Sequence, residues 1–267
     1  MKYRDERDEL TDHYKETFAR LDDLHQRVQR LHPALEKSYP IALADTKQLM
    51  IYDFNTVAAE YRYIKDVPLP MPIPKGIRSA FQLEEFGGRI ACVVTPDVFD
   101  ALEGYVTILH EFVHCYQYET CEQDLKQELD IARKAQEVGD CMWEIEHPFP
   151  YESSNFTRGY LSFLSSIKTN DHNALQIARR KLRSYLGVHD FEYMVWQEWK
   201  EGFARWIENR VKLYLGLPEN KTGFSQPFSR VIFYGGGEIF ISYLVNKDSE
   251  LLGDLPGLFH RMFRIDL

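Results

Sequence analysis

The sequence predicts a mixed α+β fold dominated by helices, with a small N-terminal sheet leading into a larger helical lobe. Three observations carry that expectation. Strand signals are confined to residues 46–95, and helical periodicity runs almost unbroken from residue 98 onward. A chain of 267 residues with 44% apolar content can also bury a large core. The expected organisation is an N-terminal amphipathic helix and connection at 1–45, a small sheet region at 46–97, and a helical lobe at 98–267 with an insertion at about 120–195.

In chain order, residues 5–31 place Leu10, Tyr14, Leu21, Leu24, Val28 and Leu31 on a stripe close to a heptad repeat, interrupted at Thr17. The stripe can pack on the chain's own body, and a homodimer contact is the alternative. Segments 48–54, 61–64 and 89–94 carry the strand signals. Between them, four prolines within 67–74 require an extended, polyproline-like course. Thr95, Pro96 and Asp97 supply turn and N-cap chemistry, and Phe99, Leu102, Val106, Leu109 and Val113 recur with helical spacing, so one helix is expected over 98–119. Further helices are expected at 122–139, 155–168, 172–186, 190–215, 227–246 and 250–264, with loops at 147–151 and at a glycine-rich turn, 235–237.

Charge and composition narrow the function classes. A net charge of −9 argues against nucleic acid as a partner, because phosphate binding needs a basic face. The cluster Arg179, Arg180, Lys181 reads as solvated helix surface. No apolar run approaches the roughly 18 residues of a spanning helix, so no membrane association is expected and a cytoplasmic location follows by default. Cys92, Cys115, Cys121 and Cys141 show neither disulfide-scaffold nor zinc-ribbon spacing and read as free thiols.

The chemistry concentrates in His110-Glu111-Phe112-Val113-His114. On a helix, positions i and i+4 stack on one face, so His110 and His114 can grip one metal ion while Glu111 projects beside them as a general base. Two histidines on the polar face of an ordinary core helix are the bland alternative. Catalytic zinc needs a third protein ligand. The segment Trp196 to Glu208 offers Glu201 among Trp196, Trp199, Phe203 and Trp206, a setting where a carboxylate is costly unless paired or metal-bound. Glu198, three residues away on nearly the same face, is the competitor and could orient a histidine instead. Gly202 and Ala204 would let this helix approach another closely. Within the insertion, Glu144, Glu146, His147, Glu152 and His172 match no recurrent metal spacing and read as surface polar residues.

His110-Glu-x-x-His114 followed by Glu201-Gly-Phe-Ala resembles the gluzincin branch of HExxH zinc peptidases. The resemblance covers about residues 98–119 and 196–252 and implies a zincin-like catalytic lobe. It implies zinc held by His110, His114 and Glu201, with Glu111 as general base. It further implies that Tyr234, in the Tyr-Gly-Gly-Gly run, supports the oxyanion, with Tyr243 and Tyr214 as alternates, and that Arg89–Val94 is an edge strand able to pair with extended peptide. The chain departs from the pattern twice. His114 and Glu201 are 87 residues apart, so an insertion must fill the gap, and no acidic residue lies in 87–94 to hold a substrate amino group. The implied activity is hydrolysis of a peptide, protein or small amide substrate. Other readings of the same residues are a small-molecule amidase, a catalytically inactive binding or regulatory protein, and an iron or manganese site.

Overall fold

A computed structural model describes residues 12–264 as a mostly helical α+β fold with one five-stranded sheet. The chain forms two compact units. The first comprises residues 1–120 and 210–218, and the second comprises 121–209 and 219–267.

The first unit opens with helix α1, Lys15–Val28. Its buried face is Phe18, Leu21, Leu24 and Val28, while Tyr14 is half-buried and Leu31 is exposed. Phe18, one residue beyond the interruption at Thr17, fills the gap in the repeat by packing on Tyr52, Tyr61 and Phe99. Leu10 lies outside the described residues. Strands β1 (Ile41–Ala44), β2 (Gln48–Asn55), β3 (Glu60–Pro68), β4 (Arg78–Leu83) and β5 (Arg89–Val94) follow. They are ordered β3-β2-β1-β5-β4, antiparallel except for the parallel pair β1 and β5.

The expected strands are therefore present, together with two that the sequence did not announce. β1 is only four residues long and buried on both faces, so it shows no alternation, and β4 is half-buried along most of its length. Their presence corrects the placement of β5. Arg89–Val94 is an interior strand with both backbone edges taken, by β1 and by β4. Its burial from Ile90 to Val94 suits that position, and the edges are β4 on its side of the sheet and β3 on the other.

Helix α2 spans Leu102–Gln117 and packs on β4 and β5, shorter at its start than the expected 98–119. Residues Pro96–Asp100 form a 3₁₀ turn first, because the Thr95 hydroxyl bonds Asp97 at 2.5 Å and Arg78 pairs with Asp97 at 2.8 Å. That turn folds over the helix start, where a Cβ on Gly104 would collide with the Val98 carbonyl.

In the second unit the expected helix 122–139 is two helices, α3 (Gln123–Glu128) and α4 (Asp130–Val138), parted by extended Leu129. A short α5 (Trp143–Glu146) precedes the 147–151 loop, and α6 covers Ser154–Lys168. Helix α7, His172–Tyr214, breaks at Gly187 (φ 72°, ψ −174°), close to the expected gap between 186 and 190. Its second leg is apolar on most sides, with Trp196, Trp199 and Trp206 buried. Helix α8 is Val231–Lys247 and α9 is Leu255–Phe263.

The glycine-rich run 235–237 is not a turn. It lies inside α8, and its glycines serve helix packing: a Cβ on Gly237 would stand 2.8 Å from the Cα of Glu198, and one on Gly202 would stand 2.6 Å from the Cα of Gly237. Backbone-to-backbone contact between α7 and α8 excludes side chains at Gly202 and Gly237, whereas a Cβ on Gly235 would meet the Phe224 ring and one on Gly236 the Tyr160 phenol.

Candidate functional site

On α2, His110, Glu111 and His114 are all buried. The helix brings the two imidazoles together as the spacing requires, with their Nε2 atoms 3.2 Å apart. Two nitrogens on one tetrahedral zinc, each at about 2.05 Å, would stand about 3.3 Å apart, so the pair has the bite of a zinc chelate. His114 Nδ1 donates to the Gln117 amide oxygen at 2.9 Å, which fixes the tautomer and turns Nε2 toward His110. Gln117, fully buried one turn below, was missed in the sequence because an i+3 glutamine on a helix carries no signal until the ring orientation is known.

Glu111 lies on the side of α2 nearer β5. Burial pushes the Cys92 thiol well up, and the charge of Glu111 pushes it further. Cys92, Cys115 and Cys121 are buried and Cys141 is exposed, all four free.

In the second unit, the second leg of α7 carries Glu198 and Glu201. Glu198 is completely buried, and both its oxygens accept from Arg179, at 3.1 and 2.7 Å, while Tyr160 donates to it at 2.8 Å. Its carboxylate is thus held by a local arginine rather than standing as a competitor ligand. Arg179 itself is wholly buried among Phe163, Phe191 and Phe240, a correction to its reading as solvated surface. Its neighbours in sequence gave no hint, because the buried carboxylate that demands it is 19 residues away.

Glu201 is partly buried, with its carboxylate 3.8 Å from the Arg230 guanidinium. Tyr234, half-buried on α8, has two cations over its ring, Arg205 and Arg230, each 5.6 Å from its centroid. Tyr243 is buried on the same helix and pairs with His172 at 3.3 Å, and Tyr214 is exposed at the end of α7.

Glu144, expected on the surface, belongs to a partly buried ionic network. It pairs with Lys126 at 2.6 Å and Lys200 at 2.8 Å, and both lysines also reach Glu122. Burial alone would raise the Glu144 carboxyl, but the two lysines hold it far below the usual range. Burial likewise opposes the Lys200 charge, yet Glu122 and Glu144 hold that ammonium well above its ordinary value. Lys200 immediately precedes Glu201, so this network anchors the turn of α7 that presents it. His147, also in the insertion, is held by Asp190 at 2.7 Å.

Among the described residues no helix is long and apolar enough to cross a membrane. No protein-family model, curated protein or solved structure matches this chain.

Proposed function

We propose that the protein is a zinc-dependent hydrolase of peptide or related amide bonds, of the gluzincin type, with His110, His114 and Glu201 as the metal ligands. The observation that carries this reading is the buried His110 and His114 pair, whose facing nitrogens stand 3.2 Å apart with the His114 ring oriented by Gln117. Each of the three side chains can offer one ligand atom to an ion. Two imidazoles and one carboxylate suit zinc in a catalytic site, where a fourth position stays open.

When bound there, zinc would polarise the scissile carbonyl and lower the pKa of a water to about 7. The chain's own groups do the rest. Glu111, beside both histidines on α2, takes the proton of the attacking water and returns it to the leaving amine. Tyr234 supports the developing oxyanion through its phenol, with the positive charges of Arg205 and Arg230 against its ring favouring donation of that proton's hydrogen bond. Burial of both histidines and Glu111 limits bulk water at these groups.

Elemental analysis of the purified protein beside Glu201→Ala and Glu111→Gln tests the reading. Near-stoichiometric zinc in the wild type, sharply less in Glu201→Ala, and zinc retained with peptide hydrolysis reduced by about 1,000-fold in Glu111→Gln are the expected results. Full hydrolysis by zinc-loaded Glu111→Gln would sink the mechanism, and zinc undiminished in Glu201→Ala would remove that ligand.

A further inference from the structure

Helix α6 and the first leg of α7, residues 172–186, leave an open groove of about 510 Å³ along their seam, and every residue that lines it belongs to these two helices. From α7 it takes Ala174, Ile177, Ala178, Lys181, Leu182 and Tyr185, spaced i, i+3, i+4, i+7, i+8 and i+11, and from α6 positions 155, 158, 159 and 162 in the same rhythm. Each set is one face of a helix. Ala178 and Leu182 are buried and form the floor, whereas Ile177 and Tyr185 stand 52% and 42% exposed as an apolar wall. Gly159 keeps the floor low, since a Cβ there would stand 3.0 Å from a Leu182 methyl carbon.

The charge around this groove is opposite to that of the chain. Residues 154–188 hold six of the 32 basic residues and one of the 41 acidic ones, Asp171, in a protein of net charge −9. Asp171 is committed to the start of α7, where its carboxylate accepts from the Ala174 N–H at 2.9 Å. None of the residues that line the groove is acidic. Arg158 of α6 and Lys181 of α7 flank it from opposite helices, both exposed. Arg158 donates to neutral groups of its own helix, the Ser154 carbonyl at 3.1 Å and the Asn155 amide oxygen at 3.2 Å, and these leave its charge uncompensated.

Shape and charge together select the occupant. A small ligand needs a pocket that encloses most of its surface, and this groove is walled by exposed side chains. A bilayer presents a flat face that does not enter a concave seam between two helices. The α7 stripe runs from Ala174 to Tyr185, about 16 Å at about 1.5 Å per residue, which is three turns of a helix laid in with anchors at i, i+3, i+4 and i+7. Cations on both flanks call for carboxylates on both sides of that helix.

We propose that the groove between α6 and the first leg of α7 docks an acidic amphipathic helix of a partner protein. The inference stands apart from the metal chemistry, because it uses neither α2 nor Glu201.

The test uses the full-length protein and two fluorescein-labelled peptides of about 15 residues, each stapled i to i+4, with leucine at the anchor positions and glutamate on both flanks in one, lysine in the other. Fluorescence anisotropy should give about micromolar binding of the acidic peptide, about 10- to 100-fold tighter than the basic one, and added salt should shrink that ratio. Ile177→Ser should weaken the acidic peptide about 10-fold by removing part of the apolar wall. Arg158→Glu combined with Lys181→Glu should reverse the preference, an outcome that a misfolded protein cannot produce. No binding of either peptide, equal binding of both, or a preference untouched by the charge reversal would overturn the proposal. So would phosphatidylserine vesicles binding where the acidic peptide does not, or a concentration-dependent dimer that the double variant abolishes, since the groove would then belong to a membrane or to a second copy.

Discussion

Replacing Gly202 by alanine should destabilise this protein, although the same change inside most helices stabilises. Alanine is favoured over glycine in a helix interior by about 1 kcal/mol. Here the new Cβ would stand 2.6 Å from the Cα of Gly237, 2.7 Å from its carbonyl carbon and 3.0 Å from the Glu238 nitrogen. Non-bonded carbons rest at about 3.5–4.0 Å, so α7 and α8 would have to part by roughly 1 Å. Every atom met is backbone, and no side chain can turn aside to relieve the contact. Overpacking of this kind costs about 1–3 kcal/mol, and the high end applies where backbone meets backbone along two long helices. Setting about 3 kcal/mol of strain against about 1 kcal/mol of propensity leaves a loss of about 2 kcal/mol, or a fall in Tm of roughly 4–8 °C. Thermal and urea unfolding of Gly202→Ala beside Gly253→Ala is the assay. Gly253 has φ −90° and its nearest obstacle is at 3.7 Å, so that control should change stability by less than about 0.5 kcal/mol. A Gly202→Ala protein as stable as the wild type would refute close backbone packing as the reason for this glycine.

Three further outcomes are expected. Gln117→Leu should lower zinc affinity about 10- to 100-fold in a chelator competition while leaving the ligands in place, because the His114 ring loses the acceptor that orients it. Arg179→Met should cost about 3–5 kcal/mol by leaving Glu198 charged and buried, and adding Glu198→Met should recover much of that loss in urea titrations, since two apolar groups replace the pair. Glu144→Gln should cost about 3 kcal/mol at neutral pH by stripping Lys126 and Lys200 of a shared partner. The pH dependence has a definite sign. Glu144 is lowered in the folded state, so its contribution is complete above the ordinary 4.5 and fades as pH falls toward its lowered value. Lys200 is raised, so its contribution is complete below the ordinary 10.5 and fades as pH rises toward its raised value. The stability gap between wild type and Glu144→Gln should therefore shrink below pH 4.5, and a gap that widens there would contradict the network.

Local patterns in the chain were enough for the class of fold, for the segments 48–54 and 89–94 as strands, for the helix that carries His110, Glu111 and His114, and for the break near Gly187. Each of these depends on period, turn chemistry or an i, i+4 relation, which act over one or two turns of chain. The i, i+4 relation in particular placed two imidazoles on one face before any contact was known, because helix geometry alone decides it. What escaped is non-local. Arg89–Val94 became an interior strand because β1 and β4, too short or too evenly half-buried to show alternation, flank it. Gly235, Gly236 and Gly237 read as a turn because glycine usually signals conformational freedom, yet they lie in a helix where the missing Cβ admits the Phe224 ring at Gly235, the Tyr160 phenol at Gly236 and the α7 backbone at Gly237. Arg179 and Glu144 read as surface charges because their partners come from distant segments, 19 residues away for Glu198 and 56 for Lys200. A charged residue bears the same local signature whether water or a buried counter-ion satisfies it, and only tertiary packing decides which, since burial is set by what the rest of the chain lays over it.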